Sequence, residues 1–156
     1  MDRLIEGYRR FRAGAWRNYR DIYEELAQQG QRPRTLVIAC SDSRVDPQMV
    51  FDAPPGDMFV VRNVAALVPP YAPDSQYHGT SAALEFAVRG LEVERIVVMG
   101  HGRCGGVQVL LSDGSRPTGD FVGTWMEIAR AARDATAHGH PTPEDRVLAC
   151  EHETVR

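Results

Sequence analysis

Three short, continuous apolar runs constrain this chain more than anything else in it: TLVIA at residues 35–39, MFVV at 58–61 and RIVVM at 95–99. Runs of that length and evenness fit strands buried on both faces, the habit of a parallel sheet. The second run follows the turn signal Pro54-Pro55-Gly56-Asp57. A proline-rich loop over residues 69–79 and then a helical segment separate it from the third. Thr80 or Ser81 can cap that helix, and Leu84, Ala87, Val88 and Leu91 form its apolar face. Strands alternating with helices predict an α/β fold with a mostly parallel β-sheet flanked by helices.

Ahead of the first strand, Leu4, Tyr8, Phe11, Ala15, Tyr19, Ile22 and Leu26 recur at steps of three and four. That spacing predicts an N-terminal helical arm over residues 1–30, either one long helix or two broken near Gly14, ended by Gly30 and Pro33. Its apolar stripe packs either on the chain's own core or on a second copy. Beyond the third strand the pattern gives a short helix at 107–111, a turn at 112–119 and a helical stretch from 121 to about 137. After a break at 138–143, a helix over 144–156 is still running where the sequence stops. The length of 156 residues favours one domain, the arm plus a core over residues 34–156.

The charge balance of 18 Lys and Arg against 21 Asp and Glu, with no basic block, argues against a nucleic-acid surface. No apolar run is long enough to span a bilayer. Residues 1–10 are charged and lack the apolar core of a secretory signal, and three cysteines form no even disulfide framework. A reducing compartment, the cytoplasm, is the expectation.

Polar clusters follow the first and third apolar runs: Cys40-Ser41-Asp42-Ser43-Arg44 and His101-Gly102-Arg103-Cys104. Ligands of open parallel sheets bind beyond the carboxyl ends of the strands, so these clusters can face one another. Two thiols and an imidazole leave one position of a tetrahedral zinc open, the pattern of a catalytic centre. His101 and Cys104 stand three apart, and Cys40 arrives from 61 positions before His101. The alternatives are ordinary ones: a cysteine at a strand end also packs as a small buried hydrophobe, and an H-x-x-C pair arises by chance. Asp42 and Arg44 tilt the balance towards a site, because a carboxylate and a guanidinium at one strand end are costly to bury unless paired.

CSDSRVDP at residues 40–47 and GHGRCGG at 100–106 resemble the two zinc-binding motifs of the β-class carbonic anhydrases. PGDMFVVRN at 55–63, GTSAALEFAV at 79–88 and DFVGTW at 120–125 are similar to the plant-like branch, and the resemblance runs from about Gln31 to the end. It implies zinc-dependent, reversible hydration of carbon dioxide to bicarbonate and a proton, by attack of zinc-bound hydroxide, with one Zn2+ per chain. By motif, Cys40, His101 and Cys104 are the implied metal ligands. Asp42 is implied either to pair with Arg44 or to swing onto the metal. Gln31, Phe59, Val64, Phe86 and Gly105 are implied for substrate binding, in a pocket that the family completes across a dimer interface. The partners implied are carbon dioxide, bicarbonate and a second copy of the chain, with neither nucleic acid nor membrane. Hydrolysis of carbon disulfide or carbonyl sulfide at the same site, or metal binding without turnover, are the competing readings. Phe86 stands where the plant-like members often carry Tyr, and Ala66 replaces a common Asn. The resemblance also implies C-terminal strands beyond Arg156 that this sequence lacks. Family members that rest with the aspartate on the metal carry a tryptophan three residues before the first ligand, where this chain has Val37; the expected resting pair is therefore Asp42 with Arg44.

Overall fold

β1 (Thr35–Cys40) runs between β2 (Met58–Asn63) and β3 (Arg95–Met99), all parallel, in the order β2-β1-β3. The computed structural model describes residues 1–74, 76–112, 115 and 119–156. As the middle strand, β1 is covered on both faces: Leu36, Val37, Ile38 and Ala39 are all at most 1% exposed. Full burial of a side chain such as Leu36 or Ile38 contributes about 1.5–3 kcal/mol, so truncating Ile38 to Ala strikes the sheet at its centre. The register sets Cys40 opposite Asn63 and Ala39 opposite Met99. The carboxyl ends of β1 and β3 therefore finish level with each other.

The expectation of strands buried on both faces holds only for β1. β2 is half-buried along its length, and Ile96 and Val97 of β3 are exposed. Both are edge strands among the described residues, so their side chains lack a neighbouring strand to flank them.

The crossover from β1 to β2 carries α3 (Pro47–Val50), started by Asp46, whose carboxylate accepts the Gln48 and Met49 amides. The crossover from β2 to β3 carries α4 (Gly79–Glu85), continued by a π-helical turn over Phe86–Gly90. Two expectations fail here. His78, not Thr80 or Ser81, occupies the N-cap, with no side-chain bond to the helix. Val88 is exposed while Ala87 is buried, because the wider π turn rotates the residues after Glu85 out of the α-helical phase.

Beyond β3 come α5 (Gly105–Leu110), α6 (Gly119–Met126), α7 (Arg130–Ala135) and α8 (Pro143–Glu153). A 3-10 turn at Glu127–Ala129 divides the expected 121–137 helix. The turn expected over 112–119 falls largely outside the described residues. α8 closes at Glu153 rather than continuing to residue 156. Its start is well marked, with the Thr142 hydroxyl accepting the Asp145 amide and Pro143 in the first turn. α8 packs on α5 and α7. These helices bury one core around Cys104, Val107, Met126 and Cys150, while Leu36, Ile38 and Ala87 centre the other.

The arm is two helices, α1 (Asp2–Ala13) and α2 (Ala15–Gln29), broken at Gly14. Its aromatic stripe closes on itself: Trp16 stacks on Tyr23 at 5.2 Å, and Phe11 meets both rings edge-on at 6.2 Å. No residue of either helix is buried. Leu4, Ile5 and Tyr8 stand open to solvent.

Candidate metal centre

The level ends of β1 and β3 bring Cys40, His101 and Cys104 together, with their ligand atoms all within 4.8 Å of one another. The two sulfurs are 4.0 Å apart. Two thiolates on one tetrahedral zinc stand roughly 3.8 Å apart, given Zn–S bonds of about 2.3 Å. The spacing therefore suits an ion of that size.

His101 supplies the sharper observation. Its Nδ1 lies 3.0 Å from the Gly102 carbonyl oxygen. A carbonyl only accepts, so Nδ1 carries the proton and Nε2 of the neutral ring presents its lone pair. That Nε2 is buried and has no hydrogen-bond partner. Leaving such an atom unsatisfied costs about 1–3 kcal/mol, and a cation between it and the two sulfurs removes the deficit. Two sulfurs and one nitrogen are a donor set that zinc takes, with a fourth position left over. Burial pushes the Cys104 thiol above its ordinary pKa, opposed by the Val107 and Gly106 amides that lie at its sulfur.

Asp42 and Arg44 form a fork: Arg44 Nε donates to Asp42 Oδ1 at 2.9 Å and Nη2 to Oδ2 at 2.8 Å. The Arg44 amide adds a bond to Oδ1 at 2.9 Å. These bonds from Arg44, side chain first and then backbone, hold the Asp42 carboxyl well below the usual carboxylate range. Asp42 Oδ2 faces His101 Nε2 at 4.0 Å. The ionised carboxylate thus stands beside the group of ligand atoms, paired with Arg44.

Of the residues expected to bind substrate, Val64 follows β2 directly at the metal end, and Gly105 adjoins Cys104 at the start of α5. The other three lie elsewhere within one chain. Phe59 pairs with Leu36 in the register, four residues before the Asn63 that pairs with Cys40, or about 13 Å down the strand. Phe86 packs on Phe59 with ring centroids 5.7 Å apart, and half its surface is exposed. Gln31 is exposed ahead of β1, at the amino end of the strand whose carboxyl end carries Cys40.

Two charged residues that sequence reasoning missed fasten the ligand loops. Arg62, at the end of β2, donates from Nε to the Cys40 carbonyl at 2.9 Å, from Nη2 to the Asp42 carbonyl at 2.6 Å and from Nη1 to Asp46 Oδ2 at 2.8 Å. Glu151 of α8 is buried, and its Oε1 accepts the Cys104 amide at 2.8 Å. An arginine closing an apolar run was the available signal for the first. The second gave none, since it sits beside a core cysteine on a helix of mixed character. Trp125 donates its indole N–H to the Val64 carbonyl at 2.8 Å, which fixes the turn after β2.

A family model described as carbonic anhydrase matches residues 35–156. A carbonic anhydrase of Synechocystis sp. is 42% identical over 134 residues, 85% of this chain and 48% of its own length. One of Synechococcus elongatus is 39% identical over the same shares. The chain thus spans about half the length of these curated relatives. Among solved structures, the β-carbonic anhydrase CcaA superposes with a TM-score of 0.87 at 38% identity, covering 99% of this chain and 75% of that one. Tetrameric β-carbonic anhydrases of Sordaria macrospora reach 0.82 at 30% identity, covering 97% and 75%.

Proposed function

The chain belongs to the β-carbonic anhydrase family, and on that premise we propose that it hydrates carbon dioxide reversibly to bicarbonate and a proton at a zinc held by Cys40, His101 and Cys104. The observation that carries this reading is the buried, unpartnered His101 Nε2 facing two cysteine sulfurs 4.0 Å apart. Zinc, when bound, supplies the Lewis acidity that makes hydroxide available near neutral pH.

The remaining work falls to the chain's own groups. Asp42, kept ionised by Arg44, accepts a hydrogen bond from the attacking oxygen and turns its lone pair towards the substrate carbon. Arg44 in turn prevents Asp42 from leaving that seat. Val64 offers carbon dioxide an apolar wall, which suits a substrate with little demand for hydrogen bonds.

Gln31, Phe59 and Phe86 lie at the far end of the sheet in their own chain, so we assign them to the pocket of a second copy. There Gln31 donates an amide N–H to the substrate oxygen as charge develops on it, and the exposed Phe86, packed on the half-buried Phe59, extends the apolar wall. The open arm, with no residue buried against its own chain, is the surface we assign to that association; tetrameric relatives are consistent with it. No helix among the described residues is long and apolar enough to cross a membrane. With three buried cysteines, none in a disulfide, we place the protein in a reducing compartment, the cytoplasm.

Stopped-flow hydration of carbon dioxide on metal-analysed protein tests the reading. Acceleration in proportion to zinc content, abolished together with zinc in Cys40→Ala, His101→Ala and Cys104→Ala, is expected. Protein that holds one zinc per chain yet leaves hydration at its uncatalysed rate would overturn it.

A further inference from the structure

We propose that Glu151 is a positioning residue for the metal centre, acting through the single peptide group that joins Arg103 to Cys104. The inference rests on the zinc reading above. That peptide is gripped at both ends. Its carbonyl oxygen, on Arg103, accepts from Arg44 Nη2 at 3.2 Å, and its N–H, on Cys104, donates to Glu151 Oε1 at 2.8 Å. A guanidinium and a carboxylate thus hold one amide plane between them. The guanidinium is the one that seats Asp42, and the amide belongs to a proposed metal ligand.

The local backbone explains why such a grip is needed. Arg103 has φ 56°, in the left-handed region that a non-glycine residue enters at a cost, while Cys104 is extended at φ −67°, ψ 124°. A residue held in that region persists only where its surroundings over-determine it. The turn must bring Cys104 Sγ beside Cys40 and His101, and Arg103 pays for it in conformation.

Glu151 is an expensive way to supply a hydrogen bond. It is 6% exposed, and among the described residues it forms no ion pair; its Oε1 accepts from a neutral backbone amide. A buried carboxylate without a counter-charge is unfavourable, and an apolar side chain would fill the space on α8 at less cost. Its presence is explained by where it holds Cys104. Groups that orient metal ligands from behind typically alter metal affinity about 10–100-fold when removed.

The test is zinc affinity measured by competition with a chromophoric chelator, on folded protein, together with hydrogen exchange of the Cys104 amide in metal-free protein. Glu151→Leu is expected to weaken zinc binding about 10–100-fold with its circular dichroism unchanged. Glu151→Gln keeps an acceptor oxygen and is expected to stay within about threefold of wild type. The wild-type Cys104 amide is expected to be protected from exchange. Leucine binding zinc as tightly as wild type overturns the proposal, as does glutamine binding as weakly as leucine, since that would implicate charge rather than the hydrogen bond. If Glu151→Leu does not fold, a wild-type Cys104 amide that exchanges like a free peptide overturns it alone. Failure of the zinc reading itself looks different: wild-type protein would bind no zinc, or bind it undiminished in Cys104→Ala.

Discussion

Arg62→Ala should destabilise the metal-free protein by about 3 kcal/mol, a figure that follows from the bonds it removes. One guanidinium donates to the carbonyls of Cys40 and Asp42 and to the carboxylate of Asp46. It thereby ties together both ends of the loop between β1 and α3. Hydrogen bonds to a charged group contribute about 1.5–3 kcal/mol each. The Arg62 side chain is 26% exposed and Asp46 38%, so the lower end of that range applies and solvent discounts the ion pair further. Three bonds at the lower end sum to about 4.5 kcal/mol; because one side chain makes all three they do not add fully, which leaves about 3. Arg62→Lys keeps the charge but not the planar fork, so it retains at most one of the bonds and should lose about 2 kcal/mol. Urea unfolding followed by circular dichroism gives both numbers. A loss below about 1 kcal/mol for Arg62→Ala, with the denaturant slope unchanged, would refute the clamp.

Gly106→Ala should lower stability by about 1–3 kcal/mol, because the added methyl would meet Ala65 Cβ and Val64 Cγ1 at 2.9 Å; an unchanged urea midpoint would contradict this packing. Burial raises the Cys150 thiol pKa, so the native chain keeps a proton that the unfolded chain releases near pH about 8.5. The unfolded state then binds fewer protons at this group, so the contribution of Cys150 makes stability fall as pH rises from about 8 upward. Cys150→Ala should flatten part of that slope in metal-free protein, and an identical slope would remove Cys150 from the account. Sedimentation should find a dimer or larger assembly that Leu4→Asp weakens; an active monomer at assay concentration would detach the arm from the pocket.

The strand positions were legible because apolar runs of five or so residues leave few other options, and the clusters at 40–44 and 101–104 were legible because polar residues at strand ends stand out against them. What the runs could not reveal is sheet position: RIVVM reads like TLVIA, yet Ile96 is half-exposed and Leu36 fully buried, since neighbours and not sequence decide which strand lies in the middle. The shift of Val88 to the surface was hidden for a related reason. A π turn changes the phase of a helix without leaving a residue-type signature. Glu151 was invisible because a buried carboxylate on a helix looks, in sequence, like a solvated one. Its partner is a backbone amide 47 positions away, and no side-chain pattern encodes that.

The register of β1 against β3 also dictates when, during folding, the chain could grip a metal. His101 and Cys104 are near neighbours in sequence and can come together early, but two donors make a weak site. Cys40 joins them only when Ala39 comes to lie opposite Met99, across a long loop that holds the whole of β2 and α4. Parallel pairings over such separations are among the slower events of folding. An ion gripped by all three donors would therefore bind tightly only after strand docking, and would favour the finished sheet by mass action: about 2.7 kcal/mol at a hundredfold excess over its dissociation constant.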